Sequence, residues 1–174
     1  MRKLILGVAV LALLLAATWA VASPWIAMDG LRDAAREADR GSLEESIDFP
    51  ALRASLKQQM REQIAQEAAK RGEANPMQGA GALLASGFLD GVVDSVITPD
   101  GMAALLVTGS LVPMRDGKPA KEIDWDVERT GLNSFRAVPK GENGKAYPAL
   151  VFTRSGLSWK LAAIDIPEPE LASE

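Results

Sequence analysis

Asp90 and Asp94 lie four residues apart in an apolar run, a spacing that puts both carboxylates on one face of a helix, where a pair can share a proton or hold a hard cation. The same spacing marks the wet stripe of a helix that is otherwise buried, and that plainer reading is the expectation. Asp124, Asp126 and Glu128 alternate along one strand face as calcium ligands would, but the loop ligands and glycine of a calcium loop are missing, so a solvated face is expected. Gly79-Ala80-Gly81 begins like a phosphate loop, yet Leu84 stands where the third glycine belongs. Ser158 and Lys160 share a strand face without a supporting nucleophile motif. The chain has no Cys and no His, which excludes thiol nucleophiles, disulfides, imidazole bases, His-based triads and zinc fingers. The sequence therefore predicts no catalytic residue, no metal ligand and no cofactor, and a protein that is not an enzyme.

Charge narrows the partners. The 174 residues hold 19 Lys plus Arg against 23 Asp plus Glu, a net charge of −4, the wrong sign for tracking nucleic-acid phosphates. After Met1, Arg2 and Lys3, residues 4–22 (LILGVAVLALLLAATWAVA) carry no charge and form about 28 Å of helix, enough to cross a bilayer. The two early cations predict a cytoplasmic N-terminus with the rest exported. Two readings stay open. Ala20-Val21-Ala22 is a small-x-small cleavage site with Ser23 as first mature residue, whereas the long apolar run bracketed by Trp19 and Trp25 suits an uncut anchor. Residues 1–22 hold two of the 19 cations and none of the 23 acids, so residues 23–174 carry −6.

The elements are set by local signals. Ser23-Pro24 reads as an N-cap and first helical residue, followed by Trp25, Met28, Leu31, Ala35 and Ala38 at helical spacing until Asp39-Arg40-Gly41. Ser42-Leu43-Glu44-Glu45 has the form of a capping box. Asp48-Phe49-Pro50 starts a longer helix in which Leu52, Leu56, Met60, Ile64 and Ala68 face inward, opposite Arg53, Lys57, Arg61, Glu62 and Lys70. Residues 72–79 form a hinge-like loop, residues 80–97 an apolar helix, and Thr98-Pro99-Asp100-Gly101 starts a short one. After residues 113–121 the hydrophobic period changes from about 3.6 to 2. Trp125 and Val127 mark one strand and Phe135 a second. Gly141-Glu142-Asn143-Gly144 marks a turn, residues 147–154 a third strand, and Ser155-Gly156 a turn into a fourth. In that last strand Leu157, Trp159 and Leu161 share a face while Ile164 and Ile166 take the other parity, so a bulge is expected near Ala162 or Ala163. The fold class is α+β: a transmembrane or signal helix (1–22), then a domain (23–166) of amphipathic helices on a curled antiparallel sheet of about four strands, then an acidic tail (167–174). A cystatin-like or nuclear-transport-factor-like cone fits this order.

Ser23-Pro24-Trp25, the stretch DFPALRASLK from Asp48, the Thr98-Pro99-Asp100-Gly101 helix start and the strand GLSWKLAAIDIP from Gly156 resemble domain-of-unknown-function family 2939 over nearly the whole of 23–166. The resemblance implies a membrane-anchored exported domain of Gram-negative bacteria and gives no catalytic residue to carry over. Trp25 departs from it, since tyrosine is the more usual aromatic there.

The expected function is a non-catalytic binding module, tethered to the inner membrane through residues 4–22 with its domain in the periplasm, or released there if cut after Ala22. Its partner is an envelope protein or small apolar ligand. Leu83, Leu84, Phe88, Val92 and Val96 line the expected ligand face or the core, and Arg53 and Lys57 are the cations available to an anionic partner. The alternatives are a carboxylate enzyme acting on envelope sugars, or an anchor self-associating through Ala12, Ala16 and Ala20.

Overall fold

The structure, a computed structural model, describes residues 2–70, 87–108, 114–115, 118–119, 125–140 and 148–167. Helix α1 (Arg2–Arg36) runs without a break through Ser23 and Pro24. It is followed by α2 (Arg40–Ser46), α3 (Phe49–Lys70), α4 (helical over 87–96) and α5 (Pro99–Thr108). The strands are β1 (Met114–Arg115), β2 (Lys118–Pro119), β3 (Trp125–Arg129), β4 (Ser134–Pro139), β5 (Ala149–Ser155) and β6 (Ser158–Asp165). The first two form a small ladder, and the rest an open antiparallel sheet in the order β3-β4-β5-β6. The architecture is α+β, with helices on one face of the sheet.

Local chemistry explains most element ends. Asp48 accepts from the Ala51 amide (3.0 Å) to cap α3, and Thr98 accepts from the Gly101 amide (3.1 Å) to cap α5. Gly101 has to be glycine, because a Cβ there would overlap the Val96 carbonyl at the α4–α5 corner. The capping box at Ser42 is not the start of α2. Asp39 caps it instead, accepting from the amides of Gly41 (3.0 Å) and Ser42 (3.3 Å), while the Ser42 hydroxyl donates to the same carboxylate (2.7 Å). Upstream, α1 ends in a Schellman pair, Asp39 amide to Ala34 carbonyl and Ala38 amide to Ala35 carbonyl, with Ala38 at φ +50° where glycine is usual.

The core gathers on the helix-covered face. Met28, Leu31, Ala34 and Ala35 from the end of α1 meet Leu43, Leu52, Leu56, Val93, Ile97 and Met102 over Phe135, Phe152, Trp159, Leu161 and Ile164 of the sheet. Each fully buried large side chain contributes about 1.5–3 kcal/mol relative to exposure. Phe135 stacks on Phe152 (centroids 4.6 Å) and meets Trp159 edge-on (4.9 Å). On β6 the pairing shifts so that Val151 faces Ala163 and Phe152 faces Leu161, leaving Ala162 as the extra residue and letting both Leu161 and Ile164 point inward. The β6 edge is covered: Ile47 bridges to Leu161, the Asp48 backbone amide donates to the Leu161 carbonyl (2.9 Å), and the Gln59 side-chain Nε2–H donates to the Ile164 carbonyl (2.8 Å).

Three further expectations shift. The inward stripe of α3 leaves the core by Ile64, which is exposed. Trp25 is half-exposed and does not join Met28 and Leu31 inside. Leu157 belongs to the β5–β6 turn, where Gly156 takes φ +65°, and so faces solvent instead of sharing the face of Trp159. The turn read at residues 141–144 lies outside the described residues.

Candidate functional site

Cations on α3 and acids on α4 form a ladder between two antiparallel helices. Arg61 holds both carboxylate oxygens of Asp90 (2.8 Å each), and Lys57 pairs with Asp94 (2.8 Å). The Arg53 guanidinium donates twice to the Ile97 carbonyl (3.0 and 2.8 Å) just past the end of α4, lies 3.9 Å from Asp94, and sits over the Phe49 ring at 5.7 Å. The carboxylate pair and the cations singled out in the sequence are thus each other's partners, and they fasten α4 to α3. Asp126 pairs with Lys140 (3.2 Å) on the open face of the sheet, where Glu128 is exposed; Asp124 lies outside the described residues. Among the described residues, no group of three acids, His or Cys is placed to hold a metal ion.

Val93 of α4 and Ile97 just after it are buried in the core. Phe88 (72% exposed), Val92 and Val96, four residues apart, form an apolar ridge on its outer side. Leu83 and Leu84 lie outside the described residues.

A second constellation joins the apolar helix to the sheet. Pro24 has no amide hydrogen, so the Ala20 carbonyl four residues earlier loses its helical donor. Arg129 at the end of β3 donates to that carbonyl, and the Ser23 hydroxyl donates to it at 3.4 Å. Ser23 is only 4% exposed, and its oxygen accepts from the Trp159 indole Nε1–H (2.9 Å). Further along α1, the Arg32 guanidinium lies over the Trp125 ring (5.7 Å). Burial lowers the Arg32 guanidinium from its ordinary value, and Asp29 opposes that shift. The local signal at Ser23-Pro24 suits a helix start as well as it suits this joint. Arg129, the donor from the sheet, is more than a hundred residues away in the chain.

Residues 4–15 and 17–19 of α1 are exposed, and among the described residues this is the helix long and apolar enough to cross a membrane or act as a signal. The molecule is thus an α+β domain carried on an apolar helix that continues into its core. The family model described as "Protein of unknown function (DUF2939)" matches residues 13–105, more than half of the chain, and the chain belongs to that family. The match starts within the apolar segment and ends inside α5, so the four-stranded sheet lies beyond it. No curated protein and no solved structure matches the chain.

Proposed function

We propose that this is a single-pass protein of the bacterial inner membrane, uncut, with its domain in the periplasm binding an envelope protein without bond-making. The continuity of α1 carries the reading. A cut after Ala22 would remove the Ala20 carbonyl that Arg129 holds and would leave a charged amino group on Ser23, which is buried against Trp159. Arg2 and Lys3 ahead of the apolar segment support a cytoplasmic N-terminus. Phe88, Val92 and Val96 are exposed on the outer side of α4, which suits a partner's surface better than an enclosed small ligand. Engagement of Asp90 and Asp94 by cations supports the non-catalytic reading over proton chemistry at that pair.

The test is N-terminal sequencing of the protein recovered from native membranes, with a photo-crosslinking residue placed at Phe88. A chain retaining the apolar segment, and a crosslinked envelope protein that is lost when Val92 becomes Asp, are expected. A chain beginning at Ser23 removes the anchor, and crosslinking indifferent to Val92→Asp removes the ridge.

A further inference from the structure

We propose that the β3–β4 and β5–β6 turns rest in the lipid interface around α1, seating the sheet end-on against the membrane through Leu132 and Leu157. The inference rests on the reading of α1 as an uncut anchor. In an antiparallel sheet of order β3-β4-β5-β6, these two turns fall at one end, and the end of β4 and the start of β5 at the other. Contacts with α1 say which end faces the membrane. Trp125 at the start of β3 is level with Arg32, and Arg129 at its end is level with Ala20. About 18 Å of helix and about 13 Å of strand separate these pairs, so β3 runs back along α1 toward the apolar segment.

The turns continue in that direction. Trp159 is level with Ser23, and Leu157 precedes it by about 6 Å of chain, which along a helix reaches the level of Trp19. Leu132 lies beyond Arg129 in the same sense, in the turn that joins β3 to β4. Leu132 (90% exposed) and Leu157 (80%) are the two most exposed large apolar side chains among the described residues. Their neighbours Gly131, Asn133, Ser155 and Gly156 are ordinary turn formers, so turn chemistry accounts for every position except the leucines. Arg129 and Arg154, the latter over the Trp159 ring at 4.5 Å, stand just behind the turns, where cations meet lipid phosphates while apolar residues reach deeper. A single exposed leucine on a soluble surface is ordinary. Two at one sheet end, level with the outer part of an apolar helix, match a lipid surface.

The absence of native cysteine lets single labels report depth in the full chain. Leu132→Cys, Leu157→Cys, Lys140→Cys at the far end of the sheet and Val10→Cys in the apolar segment are each labelled with a polarity-sensitive fluorophore. The proteins are reconstituted in vesicles of phosphatidylethanolamine and phosphatidylglycerol, with and without lipids carrying a quencher at a shallow acyl position. Expected are blue-shifted emission and loss of most fluorescence to the quencher at both turns, and no loss at Lys140→Cys. Both turns behaving like Lys140→Cys overturns the inference. So does a blue shift without quenching, which would place protein against the turns. Quenching at Val10→Cys beside unquenched turns defeats this inference alone, whereas a label at Val10→Cys that stays in water defeats the anchor.

Discussion

Replacing Ser23 with alanine removes one oxygen from the joint between the apolar helix and the sheet. The Trp159 indole Nε1–H, now donating at 2.9 Å to a buried hydroxyl, is left without an acceptor, which costs about 1–3 kcal/mol. Alanine is the better helix former by about 0.5 kcal/mol, so the expected net loss is about 0.5–2.5 kcal/mol. For a chain of this size that lowers Tm by about 5 °C. The assay is thermal unfolding of the full chain in detergent micelles, followed by the near-ultraviolet circular dichroism of its four tryptophans. Because the loss belongs to a pair, Ser23→Ala should cost little more in a chain that already carries Trp159→Phe, giving a coupling of about 1 kcal/mol in a double-mutant cycle. Thr18→Ala is the control: that hydroxyl donates to the Leu14 carbonyl of its own helix (2.9 Å) in an exposed position, and its loss should leave Tm unchanged. A Ser23→Ala protein as stable as its parent, or a cost unchanged in the Trp159→Phe background, would refute the reasoning.

Other perturbations report on separate parts of the molecule. Ala38→Gly should raise stability by about 0.5–1 kcal/mol in the same melt, since glycine fits the left-handed C-terminal position that Ala38 holds at φ +50°. The Ser42 hydroxyl, then the Ser42 amide, hold the Asp39 carboxyl below its ordinary 3.8. A depressed native value means the cap's contribution is complete above about pH 4 and is lost as pH falls through the native value. Asp39→Asn should accordingly flatten the acid limb of a Tm–pH curve, and an unchanged limb would contradict the cap. Joint Asp90→Asn and Asp94→Asn substitution removes only exposed ion pairs and should cost no more than about 1 kcal/mol per pair, with the difference shrinking in high salt. A loss independent of salt would assign these acids another role.

What local chemistry decides was legible in the sequence. The Asp48 and Thr98 caps, the Ser155-Gly156 turn, the parity change near Ala162 and the apolar stretch all depend on neighbours a few residues away. Distant partners settle the rest. Pro24 reads locally as the start of a helix, but in the fold it sits inside one, with Arg129 and Ser23 taking up the freed Ala20 carbonyl. At residues 39–45 two adequate caps compete, and Asp39 prevails because its carboxylate takes two amides and a hydroxyl together. Arg53, Lys57, Asp90 and Asp94 look like free chemical groups when α3 and α4 are read singly, and they become a seam once those helices lie antiparallel. Leu132 and Leu157 carry a signal that periodicity hides, large apolar residues inside turns whose other positions are small or polar.

On the proposed reading, α1 passes from the bilayer into the core of the domain without a break. Amide hydrogen exchange of the full chain in lipid nanodiscs measures this directly. Slow exchange at every amide from Trp19 to Leu31, across the position where Pro24 has none, is the expected result. Rapid exchange over residues 20–27 would mean a flexible link and contradict the account.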